Sequence, residues 1–400
     1  MINIPKGFKL AAANADFRGK KLARRDLCLA LSDVPAVAAG VFTTNLFRAA
    51  PVLVSQKNLN GKNPVYGVLI NSGQANACTG EQGMQNCLDS LAMVADALRS
   101  AGRDIAPDSL LPASTGVIGA HMNMKKWENA IPELTASIGK IDLEGFVRSM
   151  MTTDAFPKMA GTELELAGGR VRLAGVAKGA GMICPNMATM LALVMCDADV
   201  DQDAWRGMFR RAADETFNRV SVDGDTSTND SLYGLANGAS GVTVKKDEEP
   251  LLENALSEVL GQLAYMLVKD GEGATKVMHI NVTGAKTDAD AEKVARTVGH
   301  SQLVKTAMFG RDPNWGRIVA AAGRSGADFN PMDLVVTLCG VELFRKGRPT
   351  DQDFDALLEE PLSHTDLPLD ISMGSGPGRA HLLASDLSHG YVTLNSDYRS

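Results

Sequence analysis

The chain has 400 residues, of which 45% are hydrophobic and 22% are charged, and its formal net charge is −7. This composition is ordinary for a globular protein with a sizeable core, and the acidic balance argues against nucleic acid as a partner. The six cysteines are widely spaced and form no CxxC pair, so the sequence indicates neither a zinc module nor a disulfide framework.

The first part of the chain contains predicted strands and no targeting signal. The N-terminus lacks an apolar signal region, and no apolar run of about twenty residues occurs anywhere, so we expect a cytoplasmic protein without membrane contact. Two apolar segments, LARRDLCLALSD and AVAAGVFTTN, predict strands of a mixed sheet. Residues 65–71, VYGVLIN, predict a central strand. The small and polar residues SGQANACTG at its end allow the backbone to approach a ligand closely.

Residues 111–119, LPASTGVIG, predict a loop with a tight turn at Thr115 and Gly116. Acyl transfer builds negative charge on a carbonyl oxygen, and two hydrogen-bond donors aimed at that oxygen contribute roughly 3 kcal/mol each to transition-state stabilisation. A Thr-Gly pair in a tight turn can supply such donors, although on these residues alone a plain turn is the alternative.

A helix precedes the loop, because apolar residues from Met84 to Leu98 recur at helical spacing.

Two stretches before the middle of the chain carry candidate binding residues. Residues 150–158, MMTTDAFPK, predict the N-cap region of a helix, where Thr and Asp side chains accept hydrogen bonds from backbone N–H groups. The segment RVRLAGVAK predicts a strand that leads into Lys178. A lysine at a strand end is ordinarily solvated, but its ammonium is also a natural partner for the carboxylate of an amino acid.

Residues 178–191, KGAGMICPNMATML, place a hydroxyl residue, Thr189, directly after a small one, Ala188, and run into the apolar segment LALVMC. The apolar run predicts a strand covered on both faces, and the glycines and proline before it allow backbone strain ahead of the threonine. This arrangement favours self-cleavage, in which the Thr189 hydroxyl attacks the Ala188 carbonyl and water then releases an N-terminal threonine. The new α-amine, which titrates near pH ~8, serves afterwards as the base. The alternative is a Gly-rich loop that leads into a core strand.

Beyond residue 191 the sequence predicts two helices and several polar loops. Apolar residues recur at helical spacing between Asp203 and Thr216, and again over residues 251–268. The polar cluster DGDTSTND between them lacks the ligand spacing of an EF-hand, so we expect no metal. Glu272 lies between two glycines in KDGEGATK, where it is either an exposed loop residue or a carboxylate aimed into a cleft. FGRDPNWGRI predicts a structural turn packed by its tryptophan, Trp315.

Several of these stretches are similar to segments of the ornithine acetyltransferase family, and together they span nearly the whole chain. KGAGMICPNMATML resembles the processing segment of that family, while SGQANACTG departs from the family pattern at Gln74 and MMTTDAFPK at Ala155. SVDGDTSTND, FGRDPNWGRI and the C-terminal YVTLNSDYRS match as well. The resemblance implies an α/β fold of the self-cleaving, N-terminal-threonine-nucleophile type, with mixed sheets and helices. It also implies a precursor cut into an α chain, 1–188, and a β chain, 189–400, which stay intertwined and assemble as an α2β2 heterotetramer.

The same resemblance implies roles for particular residues. Thr189 is the nucleophile, Ala188 is the cleavage-site residue before it, and Thr115 and Gly116 form the oxyanion hole. The substrate contacts are Thr152, Lys178, Thr189, Glu272, Asn395 and Ser400, with Thr153 as the alternative to Thr152. Ser400 stands where many family members have threonine, and it keeps the hydroxyl.

The reaction that the resemblance implies is ping-pong acetyl transfer without a resident cofactor. Thr189 takes the acetyl group from N-acetylornithine and passes it to glutamate, which regenerates N-acetylglutamate for arginine synthesis. Some family members also accept acetyl-CoA as donor. Charge complementarity suggests that Glu272 holds the side-chain amine of ornithine.

Two other classes of protein remain as alternatives. A self-cleaving aminopeptidase or amidohydrolase would use water in place of glutamate. A phosphate- or nucleotide-binding module would use the KGAG loop, although the sequence contains neither GxxxxGK[ST] nor GxGxxG.

Overall fold

The computed structural model describes residues 2–19, 24–184 and 190–397, in which strands and helices follow one another in mixed order. The strands are β1 (Phe8–Ala13), β2 (Leu27–Phe42), β3 (Val65–Gln74), β4 (Leu110–Val117), β5 (Lys158–Leu166), β6 (Gly169–Lys178), β7 (Leu191–Cys196), β8 (Val220–Ser221), β9 (Ser231–Ala236), β10 (Val277–Ala285), β11 (Val335–Leu338), β12 (Val341–Arg345), β13 (Arg348–Pro349), β14 (Asp366–Ser372) and β15 (Gly378–Ser385). The helices are α1 (Ala50–Leu59), α2 (Gly80–Ser100), α3 (Met124–Ala136), α4 (Leu143–Met150), α5 (Gln202–Glu215), α6 (Glu249–Lys269), α7 (Asp288–Gly299), α8 (Gln302–Phe309), α9 (Trp315–Gly323), α10 (Phe354–Leu358) and α11 (His389–Asp397).

The first sheet has the strand order β4-β3-β2-β9-β7-β6-β5, with β1 paired to β2, and it mixes parallel and antiparallel neighbours. Strand β2 belongs to two parts of this sheet. Its residues 27–31 pair with β3, and its residues 37–42 pair with β9. Side chains from both parts share one core, including Ile70 of β3 and Leu193 of β7. The sheet therefore folds over, and its two parts pack face to face.

Helices cover the two outer faces of the first sheet. Leu91 of α2 and Trp127 of α3 pack against β1, β2 and β3 on one side. Trp205 of α5 and Leu260 of α6 pack against β6, β7 and β9 on the other. Helix α5 begins where the carboxylate of Asp201 accepts hydrogen bonds from backbone N–H groups of the first turn, which leaves fewer donors unsatisfied.

Strand β7 lies in the interior of the first sheet. It runs antiparallel to β6 on one side and parallel to β9 on the other. Its odd-numbered residues face the core between the two parts of the sheet, and its even-numbered residues face the core under α5 and α6. All six residues are buried, which confirms the prediction of a strand covered on both faces.

The second sheet has the strand order β13-β12-β11-β14-β10-β15-β8. Apolar residues of α7, α8 and α9 cover it and form a separate core. Trp315, the first residue of α9, stacks on Phe344 of β12 with ring centroids 5.7 Å apart, as expected for a packed structural turn. The first proposed chain, 1–188, contributes no described strand to this sheet, whereas both proposed chains contribute to the first.

The predicted α/β class with mixed sheets is confirmed, and α2, α5 and α6 lie where helical periodicity predicts them. Two local predictions are wrong. Thr115 and Gly116 lie in β4 instead of a tight turn, because they pair with Ser72 and Gly73 of β3. Residues 150–158 do not cap a helix, because Met150 ends α4, Lys158 begins β5 and the residues between them connect the two. Within the described ranges, no helix is both long and apolar enough to cross a membrane.

Candidate active site

A cleft opens where β4 and β6 end, and its walls come from distant parts of the chain. Its lining residues are Ala75, Thr115, Gly116, Ile118, Thr152, Thr153, Lys178, Ala180, Gly181, Met182, Ser227, Thr228, Asn229, Glu272 and Asn395. Most of the predicted site residues are therefore brought together, and Thr152 and Thr153 both line the cleft. The predicted nucleophile Thr189, the cleavage-site residue Ala188 and the predicted substrate contact Ser400 lie outside the described residues.

The segment that contains Thr115 and Gly116 is held by close backbone contact between β3 and β4. Gly116 pairs with Gly73 in a parallel ladder and has a φ of +129°. A Cβ atom at position 116 would lie 2.2 Å from the backbone carbonyl carbon of Gly73. Only glycine permits both this φ and this approach. The position of the Thr115 hydroxyl at the cleft therefore depends on two glycines.

Lys178 lies at the end of β6 with 2% of its surface exposed, and its Nζ donates a hydrogen bond to Thr115 Oγ1 at 3.1 Å. An ammonium cannot accept, so the proton of the Thr115 hydroxyl remains available to another acceptor in the cleft. Because the Lys178 ammonium donates to the Thr115 oxygen, it polarises the hydroxyl and makes that hydroxyl a stronger donor. Burial lowers the pKa of Lys178, and the charge of Asp154 acts in the opposite direction.

A buried ion network lies behind Lys178. Lys158 is fully buried, and its Nζ donates to Asp154 Oδ1 at 2.7 Å and to Asp270 Oδ2 at 2.5 Å. One ammonium thus joins two carboxylates that are 116 residues apart in the chain. Because Asp270 precedes Glu272 by two positions, the network fixes the loop that carries Glu272.

Asp154 connects this network to two segments that border the cleft. Its carboxylate accepts from the N–H of Gly179 at 2.6 Å and from the N–H of Thr152 at 2.9 Å. Burial alone would raise the pKa of Asp154, but the charges of Lys178 and Lys158 outweigh it and hold the pKa well below its usual range. Asp154 is therefore an anion that neutralises the buried lysines and ties the Thr152 loop to the end of β6.

Glu272 and Asn395 also line the cleft. Asn395 Nδ2 donates to Glu272 Oε2 at 2.9 Å, and the Glu272 N–H donates to the Ala180 carbonyl at 2.8 Å. A Cβ atom at Gly181 would lie 2.5 Å from Glu272 Oε2, so a side chain at position 181 would displace the carboxylate from its present position in the cleft. Glu272 is therefore a cleft residue and not an isolated loop glutamate.

Two aspartates of the DGDTSTND stretch hold the chain on either side of residues 185–189. The carboxylate of Asp223 accepts from the N–H groups of Met182 at 2.5 Å and Ile183 at 2.9 Å. The carboxylate of Asp230 accepts from the N–H of Met190 at 3.0 Å. Both aspartates therefore bind backbone. In the part of the chain that the structure describes, no cluster of three or more potential metal ligands occurs.

The sequence analysis assigns no role to three of these residues, which are Lys158, Asp223 and Asp230. The spacing of Asp154 and Lys158 is compatible with a local ion pair, but Asp270, the second partner of Lys158, lies 112 residues further along the chain. From sequence, DGDTSTND is a polar cluster in which we expect no metal and to which no structural role is given. Two aspartates seven positions apart, directly before an apolar strand, are the signal that could have indicated a structural clamp.

Comparison with known proteins finds similarity along nearly the whole chain. The model of the ArgJ family matches residues 9–400. The arginine biosynthesis bifunctional protein ArgJ of Nitratidesulfovibrio vulgaris is 62% identical over 396 residues, which cover 99% of each chain. The protein of the same name from Geobacter sulfurreducens is 43% identical over 398 residues, again 99% of each chain. A solved structure of the arginine biosynthesis bifunctional protein ArgJ from Bacillus halodurans is 32% identical, with a TM-score of 0.49, and the match covers 52% of this chain and 98% of that one.

Proposed function

This chain belongs to the ArgJ family, and from that membership we propose that it is a glutamate N-acetyltransferase of arginine biosynthesis. It moves an acetyl group from N-acetylornithine to glutamate by a ping-pong mechanism. The observation that carries the proposal is the cleft itself, which Thr115, Lys178 and Glu272 line together with residues 180–182. These groups suit a small substrate that has a carbonyl oxygen, a carboxylate and an amine.

The nucleophile in this mechanism is Thr189 after self-cleavage. Its hydroxyl attacks the Ala188 carbonyl, an ester forms, and water releases the N-terminal threonine. Its neutral α-amine then accepts the hydroxyl proton as Oγ attacks the acetyl carbon of N-acetylornithine. Ornithine leaves, and glutamate attacks the acetyl-threonine in the second half-reaction.

Both half-reactions pass through a tetrahedral oxyanion, which Thr115 and Gly116 stabilise. The Thr115 hydroxyl suits this role because Lys178 already donates to its oxygen and leaves its proton available. A donor that is positioned before the reaction stabilises developing charge without reorganisation during it. Gly116 contributes through its backbone, which the close contact with Gly73 holds in place.

Thr115→Val is expected to lower kcat about 100- to 1,000-fold, because it removes one preorganised oxyanion donor and keeps the side-chain shape. Thr115→Ser retains the hydroxyl and is the matched control. Initial rates with saturating N-acetylornithine and glutamate measure the effect. A Thr115→Val enzyme with the kcat of Thr115→Ser would contradict the oxyanion role.

Lys178 and Glu272 recognise the two ends of the amino-acid substrate. Within the described residues, the Lys178 ammonium uses one of its three donors on Thr115, which leaves two for a substrate carboxylate. Glu272 holds the side-chain ammonium of ornithine, and Asn395 orients the glutamate carboxylate for that contact. Thr152 lines the same cleft and is a further substrate contact, and Ser400 completes the proposed set.

Glu272→Gln is expected to raise the KM for N-acetylornithine about 10- to 100-fold, because a hydrogen bond to a charged group contributes about 1.5–3 kcal/mol. The KM for glutamate, whose side chain is an anion, should not rise in the same variant. Steady-state kinetics with each substrate varied in turn give both values. Equal changes in the two KM values would show that Glu272 does not discriminate the amine.

The proposed maturation gives an α chain, 1–188, and a β chain, 189–400, in an α2β2 assembly that works in the cytoplasm. The strand pairing supports the idea that the two chains stay together, because β6 and β7 lie on opposite sides of the cut and all of β7 pairs with residues 173–178 of β6. We also propose acetyl-CoA as a second acetyl donor, since the relatives carry the word bifunctional in their names. No resident cofactor or metal takes part in the proposed reaction.

Two measurements test the proposed function. The intact mass of the purified protein should give two fragments, one of which begins with threonine. Incubation with N-acetylornithine should then yield N-acetylglutamate only when glutamate is added, and acetyl-CoA with glutamate should give the same product. Release of acetate in place of transfer would favour the aminopeptidase or amidohydrolase alternative, which the names of the relatives do not support.

A further inference from the structure

Asp230 is a buried acidic residue that the reaction described above does not use. None of its surface is exposed, and Oδ1 accepts a hydrogen bond from the N–H of Met190 at 3.0 Å. Its backbone carbonyl accepts from the N–H of Thr43. Within the described residues, the other carboxyl oxygen, Oδ2, is buried and has no hydrogen-bond partner.

An ionised carboxylate with an unpartnered buried oxygen is unfavourable, and protonation removes its charge. Burial raises the pKa of Asp230 well above its usual range, although the N–H groups of Met190 and Ser227 and the charge of Lys178 act in the opposite direction. Because Oδ1 accepts a hydrogen bond, the proton of the neutral acid belongs on Oδ2. Asp230 therefore carries a proton donor whose acceptor is not among the described residues.

The position of this donor is set by Met190, which directly follows Thr189 in the chain. The carboxyl of Asp230 thus lies one peptide unit from the residue whose nitrogen would be released by self-cleavage. That nitrogen must gain a proton when its bond to the Ala188 carbonyl carbon breaks. The α-amine that serves as base in acetyl transfer cannot assist here, because it does not exist before the cut. Self-cleavage consequently needs another proton carrier.

We propose that Asp230 is the proton carrier of self-cleavage. In this step a bond forms between Thr189 Oγ and the Ala188 carbonyl carbon, and the bond from that carbon to the Thr189 nitrogen breaks. Asp230 Oδ2–H gives its proton to the leaving nitrogen, and the hydroxyl proton of Thr189 returns to the Asp230 carboxyl. The carboxyl ends the step unchanged, and water later hydrolyses the ester. The inference rests on the self-cleavage in the proposed function.

Asp230→Asn tests the proposal, because the amide oxygen can still accept from Met190 while the amide group cannot carry the proton. The matched control is Asp197→Asn at the other end of β7. Asp197 is also buried, and its two oxygens accept from the N–H groups of Arg172 and Lys6. Each full-length chain is made in a short cell-free pulse, and its conversion to fragments is followed on a gel. Asp230→Asn should be cleaved about 100-fold or more slowly than wild type, and Asp197→Asn at the wild-type rate.

The outcomes separate this inference from its premise. If wild-type protein is never cut, the proposed self-cleavage fails and this inference fails with it. If wild type and Asp230→Asn are cut at the same rate, only the role of Asp230 is overturned. If Asp230→Asn does not fold, the wild-type pH profile decides. Cleavage should slow as the pH rises through the pKa of Asp230 in the folded precursor, with Lys178 as the charged group acting on it. A rate that rises steadily with pH overturns the proposal.

Discussion

Thr189→Ala is expected to leave the protein as one chain of 400 residues and to lower acetyl transfer by about 10⁴-fold or more. The change removes the hydroxyl that attacks Ala188, so no fragment can form. It also removes the group that would carry the acetyl, and loss of a nucleophile is among the largest single effects in enzyme kinetics. Intact mass measures the first result, and formation of N-acetylglutamate from N-acetylornithine measures the second.

Two control variants make this result specific. Thr189→Ser keeps a hydroxyl and should still be cut and still transfer acetyl. Thr297→Ala removes a half-buried threonine hydroxyl from α7, where it donates to the carbonyl of Lys293 one turn earlier, and should behave as wild type. A full-length Thr189→Ala protein that transfers acetyl at the wild-type rate would refute the assignment of the nucleophile.

Lys158→Met is expected to lower the free energy of unfolding by about 3–5 kcal/mol, because it leaves the carboxylates of Asp154 and Asp270 buried without their shared cation. Acetyl transfer should fall as well, since the same network holds Asp154 against the Thr152 loop and Gly179. Urea unfolding followed by fluorescence gives the change in stability. Lys125→Met, which removes an exposed partner of Glu128, is the control and should leave the midpoint unchanged.

The pH dependence of this effect follows from Asp154. Its pKa is depressed in the folded protein, so its contribution is fully present above the pKa of the unfolded chain, about 4, and is lost as the pH falls further. The stability difference between wild type and Lys158→Met should therefore be largest near pH 7 and shrink below about pH 4. Replacing both aspartates by asparagine in the Lys158→Met background should restore part of the stability at pH 7. No restoration would mean that uncompensated charge is not the cause.

The sequence predicts the family, the α/β class and most of the cleft, but it misses how the cleft is held. Family membership is confirmed, and β7 and α6 lie where their apolar patterns predict them. Thr115 and Gly116 are expected in a tight turn because glycine commonly supplies positive φ there. In the structure, Gly116 is needed for the close contact between β4 and Gly73 of β3. A local sequence pattern does not reveal that contact.

The same limit applies to charged residues. From its local sequence Asp154 is a helix cap, but in the structure Lys178 and Lys158 hold its pKa low, and Lys158 also binds Asp270 on a distant loop. From its local sequence Asp230 belongs to a polar turn, but in the structure its carboxyl accepts a hydrogen bond from the N–H of Met190, 40 residues earlier in the chain. Such partners depend on tertiary packing, which no local spacing encodes. The roles given to Thr115, Gly116, Thr152, Lys178, Glu272 and Asn395 stay predictions, as do those of Thr189, Ala188 and Ser400.

The interior position of β7 has a consequence for when the cut can happen. Newly made polypeptides begin at a terminus that usually ends up on the outside of a domain. A break before residue 189 instead starts a polypeptide two positions ahead of a strand that has neighbours on both sides. The amino terminus of a newly made chain is rarely found next to an interior strand of a sheet. We therefore expect the proposed cut to follow folding, with the Ala188–Thr189 peptide bond holding the two parts together until the sheet has formed.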